Sequence, residues 1–228
     1  CEADDPMSFY GGGELVERVE EAWSVFRDGD FDSSLAIFNS ALIDAEFIML
    51  EDSNATLIRS TLGDIHTGIG WCNLRLLNAE TAREHFIISQ GYELYSFGTS
   101  VGLMTAYYEL GTVFPIDSTV VDSAIQIGHW IFSSGMPEEF EYNQSINVDD
   151  VRLLMAKSYF SNGDLSDNDT EKAGALYWIL QLDPGFVYLD AADPFTWNLY
   201  ENGKQDYDSF GEAILMIILE LEKDVFPA

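Results

Sequence analysis

Three segments of the chain echo one another: AWSVFRDGDFDSSLAIFNSAL from Ala22, GWCNLRLLNAETAREHFIIS from Gly70, and AKSYFSNGD followed by EKAGALYWILQLDP from Ala156. Each reads as the end of one helix, a tight turn and a second helix. A two-helix unit cannot bury its apolar face alone, so recurring copies stack and each buries that face on its neighbours. The expected fold is all-α: an α-solenoid of helix-turn-helix hairpins, with about ten helices and no convincing strand.

The echo is positional. With Gly29, Asp30 and Phe31 at the first turn, Ala22 and Trp23 fall late in the first helix, and Ser34, Phe38 and Ala41 share one face of the second. In the second unit Gly70 and Trp71 take the places of Ala22 and Trp23, and Ala82, Phe86 and Ser89 follow at the same offsets. The third unit supplies Ala156, Tyr159, Phe160, Gly163 and Asp164, then Ala173 and Tyr177, closing on Leu182, Asp183 and Pro184, with SDNDT inserted in its turn. Small residues at these points allow close helix crossing, and aromatics fill the groove between units. The pattern resembles the tetratricopeptide repeat, whose first helix carries a small residue where it meets the second and whose second helix carries Ala-x3-Phe-x2-Ala. That resemblance implies a concave face that binds another protein or peptide. Coverage is partial, because residues 98 to 140 match only loosely.

The middle region still reads as a helix pair. SVGLMTAYYELG forms one helix and PIDSTVVDSAIQIGHWIFSSG a second, with Asp117 or Ser118 as N-cap and Gly135 past its end. Met136 and Pro137 break the pattern. Downstream, Asn147 with Asp150 three residues later resembles a capping box opening the helix VDDVRLLMAKSYF. Residues 1 to 13 read as a tether, with GGG at Gly11 to Gly13 as its hinge, and residues 14 to 228 as a single domain.

Charge and the first residue bear on location and partners. The 40 acidic and 10 basic residues give a formal net charge of -30, which repels phosphate backbones and anionic headgroups and argues against nucleic-acid binding and peripheral membrane binding. A sequence opening on Cys1, followed by the acidic stretch EADDP, resembles a mature bacterial lipoprotein carrying lipid on that cysteine. This implies an extracytoplasmic, outer-membrane or cell-surface address with membrane contact through the lipid alone. The alternatives are an arbitrary starting point, or a Cys1–Cys72 disulfide in an oxidising compartment. Cys72 otherwise reads as a small buried hydrophobe.

Candidate chemistry is thin. No HExxH, CxxC, GxSxG or phosphate loop after a strand occurs, so neither an enzyme nor a cofactor is expected. His66 and His85 are expected roughly 8 Å apart along their hairpin, too far to share a metal. The insertion supplies a weak calcium candidate in Asp164, Asp167, Asp169 and Glu171, without EF-hand spacing. Glu138, Glu139 and Glu141 read as surface.

The sharpest functional hint is the last helix, FGEAILMIILELEKDVF, apolar on every side from Ala213 to Leu219. A terminal repeat helix needs a polar outer face, so this one is either buried within the chain, with LDAADPFTWNLY as the candidate cover, or covered by a neighbouring molecule. The favoured function is a non-enzymatic scaffold that assembles with itself into a homo-oligomer or polymer through Ile214, Ile217 and Ile218 and the arm residues Phe9 and Tyr10. The alternative is a monomeric lipoprotein binding another protein or peptide in its groove, with Trp23, Trp71, Tyr107 and Tyr108 as groove candidates.

Overall fold

Nine α-helices follow one another in the computed structural model, which describes residues 7–51, 56–92, 96–135, 139–167, 173–183, 189–197, 207 and 209–225. They are α1 (Met7–Arg27), α2 (Phe31–Glu51), α3 (Thr56–Arg75), α4 (Ala79–Tyr92), α5 (Phe97–Thr112), α6 (Ser118–Ser134), α7 (Val148–Ser161), α8 (Ala175–Leu182) and α9 (Phe210–Val225). A 3-10 turn at Pro194–Trp197 and a two-stranded antiparallel hairpin, β1 (Glu139–Phe140) and β2 (Asn143–Asn147), complete the described elements.

The helix ends follow local chemistry. Gly29 turns the chain out of α1 at φ 85, a left-handed conformation that costs glycine little. Asp30 then accepts the Ser33 amide at 3.1 Å and opens α2. Asp117 is the N-cap of α6, accepting from Thr119 and Val120, and Gly135 ends that helix at φ 68. The capping box at α7 is present in both directions: Asn147 accepts the Asp149 amide, and Asp150 accepts the Asn147 amide.

From α1 to α8 each helix packs on its predecessor. The odd-numbered helices also touch in series, α1 on α3, α3 on α5 and α5 on α7, while α9 lies against α7 and α8. At the crossings aromatic rings sit where a neighbour has no side chain. A Cβ on Gly68 would stand 2.2 Å from Phe38, and one on Gly102 would stand 2.2 Å from Phe86. A buried hydroxyl set ties α3, α4 and α5: Thr67 bonds Ser89 at 2.8 Å and Thr99 at 2.7 Å, and Ser89 donates to the Gly63 carbonyl. Cys72 is a buried free thiol whose pKa burial pushes up to about 11.

Two expectations need correction, and α2 has a further property. The hairpin β1–β2 occupies a stretch expected to hold no strand; its pairing is short, and the docking of Phe140 into the core, rather than any alternating pattern, holds it there. The helix α1 begins at Met7, inside the expected tether, because extending an existing helix through glycine costs only about 1 kcal/mol per residue. And α2, over Phe31–Leu50, is long and apolar enough by length and composition to cross a membrane, although Phe38, Ala41 and Ala45 on it are buried in the core.

Two glycine substitutions test this packing. Replacing Gly102 with Ala overpacks against Phe86 and is expected to cost about 1–3 kcal/mol in urea unfolding. Replacing Gly13 with Ala, where a Cβ meets nothing within 4 Å, is expected to gain about 0.5–1 kcal/mol because that residue is helical. Equal stability of Gly102→Ala and wild type would refute the ring-over-glycine fit, and no gain at Gly13 would refute the early start of α1.

Candidate binding cleft

The row of odd-numbered helices leaves a cleft of about 630 Å³ between α3, α5 and α7. Trp71 and Leu74 of α3, Val101 and Leu110 of α5, Ile146 of β2 and Leu154 of α7 give it an apolar lining. Leu77 and Val113 stand at its edge. Arg75, Glu80, Glu109, Asp150, Lys157 and Glu222 add charge. A largely apolar concavity with a few polar groups converging on it is the usual form of a binding site.

Its polar centre is Asp150, a residue 5% exposed. One carboxylate oxygen, Oδ2, accepts the Asn147 amide at 2.6 Å. The other, Oδ1, is buried with no hydrogen-bond partner among the described residues. Burial pushes the carboxyl up to about 6, opposed by the bond from Asn147 and, more weakly, by the Arg75 charge. Burial in turn lowers the Arg75 guanidinium, and Asp150 partly restores it. Across the cleft Lys157 pairs with Glu222 of α9 at 2.8 Å and lies over the Tyr108 ring, 5.1 Å from its centroid.

The hairpin closes the α1 side of this face. Phe140 stacks on Trp71 and meets Trp23 edge-on, filling the space over Gly98, where a Cβ would stand 2.0 Å from the ring. Tyr142 stacks on Trp23 with ring centroids 4.6 Å apart and donates to Asp64 Oδ2 at 2.9 Å. Arg27 donates to the Tyr142 carbonyl.

The expected site residues therefore scatter. Trp71 is buried at the cleft, and Trp23 is sealed beneath the hairpin and serves as core. Half-buried Tyr108 faces Lys157, and burial raises its phenol pKa; Tyr107 faces Arg83 of α4. Ile214, Ile217 and Ile218, expected to meet a partner, are buried in the core. The α9 helix packs on α7, α8 and the Pro194–Trp197 turn, which covers its isoleucine face, while Leu215 and Leu219 on the other face stay exposed. Phe9 and Tyr10 lie in the first turns of α1, but their side chains fall outside the described residues, as do Cys1, Asp169 and Glu171. Asp164 accepts the Ser166 amide, and among the described residues no group of three or more His, Cys, Asp or Glu is placed to hold a metal.

The histidines correct an expectation. His66 Nδ1 and His85 Nδ1 are 2.9 Å apart, one donating and the other accepting. Counted from the observed helix ends, Arg75 and Ala79, their offset is about 4.5 Å along the hairpin, which two imidazoles span. Asp150 was legible in the sequence as a cap; that its second oxygen faces burial without a donor follows only from the packing of α3 and α5. Comparison with known proteins yields no matching family model, no matching curated protein and no matching solved structure.

The histidine pair sets a pH dependence. Burial, then the His85 charge, lowers His66 to about 4. Its folded pKa thus lies below the unfolded value near 6.5, so the unfolded chain binds the extra proton first and stability falls as pH drops from about 6.5 to 4. In His66→Gln this fall is expected to shrink by about 1–2 kcal/mol, screening included, as read from urea unfolding at pH 7 and pH 4.5. An unchanged slope would show that the pair does not couple folding to pH.

Proposed function

We propose that this chain is a non-enzymatic scaffold of tetratricopeptide-like hairpins that binds a segment of another protein in the cleft between α3, α5 and α7. What carries the reading is that cleft and its apolar lip. Leu77 is 92% exposed and Phe114, next to Val113, is also 92% exposed. Leu77 sits at φ 61, a left-handed conformation unfavourable for a branched aliphatic residue. Exposed apolar residues grouped at a concave mouth are a mark of interaction sites.

The repeat architecture is supported by the small and aromatic residues at the helix crossings. Ala22, Ser34, Phe38 and Ala41 in the first unit and Ala82, Phe86 and Ser89 in the second are all buried, and Ser34 Oγ donates to the Ala22 carbonyl at 2.8 Å. Self-assembly through the last helix has less behind it, since Ile214, Ile217 and Ile218 are occupied internally.

The test is selection of random 12-residue peptides on the purified chain, followed by hydrogen exchange to map what the winners protect. Protection is expected in α3, α5 and α7. The double variant Leu77→Glu/Val113→Glu, altered only at exposed positions, should weaken binding at least 10-fold without shifting the melting temperature. Peptides that protect other surfaces, or that bind the double variant equally well, would sink this reading.

A further inference from the structure

The chemistry of the occupant can be narrowed, on the basis of the cleft reading above. Among the described residues Asp150 is the one buried acidic side chain, and a buried carboxylate is costly unless it is paired and hydrogen-bonded. Here that pairing is half complete. The Asn147 amide takes Oδ2, and Oδ1 has no donor among the described residues. Arg75 shares the cleft and acts on Asp150 through its charge, but forms no ion pair with it.

The other charges of the cleft leave it acidic. Lys157 is matched by Glu222 and Glu80 by Arg83, which leaves Asp150 and Glu109 against Arg75 in a molecule of net charge -30. An incoming anion meets repulsion; an incoming cation finds an acceptor that the fold itself does not use. The walls on either side are apolar and suit the methylene stem of a long basic side chain.

We propose that the cleft takes a lysine or arginine side chain of a partner polypeptide, flanked by apolar residues, its cationic head bonding Asp150 Oδ1 and its neighbours covering Trp71, Leu74 and Leu154. A charge-assisted bond of this kind is roughly twice as strong as a neutral one. Oδ1 is buried in the unliganded chain, so this bond requires the lining side chains to move. Binding requires the ionised carboxylate, so affinity falls as pH is lowered through the titration of Asp150. The groups that share its surroundings are Arg75 of α3, Glu80 of α4, Glu109 of α5, Asp149, Arg152 and Lys157 of α7, and Glu222 of α9. Burial raises Asp150 toward neutrality.

The experiment is fluorescence anisotropy with labelled 12-residue Leu/Ser/Ile peptides that differ only at a central Arg, Lys, Met or Glu. At pH 7.5 the Arg and Lys peptides are expected to bind the wild type at least 10-fold more tightly than the Met and Glu peptides, and to lose that margin at pH 5. Asp150→Asn keeps an oxygen for the Asn147 amide and should abolish the preference, whereas Glu17→Gln, on the exposed face of α1, should preserve it. If Asp150→Asn fails to fold, the peptide series and its pH profile on the wild type decide alone. Binding that Leu77→Glu/Val113→Glu blocks, but that ignores the central residue, would overturn this proposal and leave the cleft reading standing. Absence of any peptide binding blocked by that double variant would overturn both.

Discussion

The fit of an aromatic ring over a bare helix backbone is the contact on which the rest of this molecule depends. Phe38 over Gly68, Phe86 between Gly70 and Gly102, and Phe140 over Gly98 each place a ring where a single methyl group would collide. Close packing makes such contacts steep: the ring holds adjacent helices at one separation, and interiors at native density offer little room for another. Because α3 and α5 are set against their neighbours by these rings, two walls of the cleft are a consequence of the same rule. The cleft is what remains where Trp71 and Val101 line the gap and no aromatic side chain fills it.

Polar choices reinforce that geometry. Thr67, Ser89 and Thr99 meet in the interior and satisfy one another across three helices, so the hydroxyls fix relative rotation as well as distance. Asp150 departs from this economy. Five buried polar atoms among the described residues lack a partner, Trp23 Nε1, Arg83 Nε, Asn162 Oδ1 and Trp178 Nε1 besides Asp150 Oδ1, and Asp150 is the one acid among them. Buried polar groups that are only partly satisfied are expensive, and their survival in a fold points to a use outside it.

What the sequence could show depended on the range of the interaction involved. The Gly29 turn, the Asp117 cap and the Asn147–Asp150 box act within a few residues, and their signals are local, so they could be read directly. The buried faces of Phe38 and Phe86 were legible because the offsets repeat. The hairpin at 139–147 was not, since EFEYNQSIN has no regular alternation and is held by Trp23 and Trp71, more than 60 residues away in the chain. The contact of His66 with His85 turned on where α3 stops and α4 starts, and an error of two residues there adds about 3 Å to the expected separation. For α9 the need for cover was visible in its composition, but the identity of the cover depended on α7 and α8.

A row of helices that touch only their neighbours is held by short-range contacts, and such an array can fray from either end one unit at a time. The β1–β2 hairpin changes that connectivity. Through Tyr142 it joins a point late in the chain to Arg27, 115 residues earlier, and to Asp64, 78 residues earlier. The connection between α6 and α7 is thereby tied to α1 and α3. Opening the first helical hairpin strips the cover from Phe140 and Tyr142, and releasing the β-hairpin uncovers Trp23, so neither can loosen without exposing aromatic surface of the other. Any ligand seated beside Ile146 therefore rests against a hairpin that Trp23 and Arg27 of α1 brace from behind.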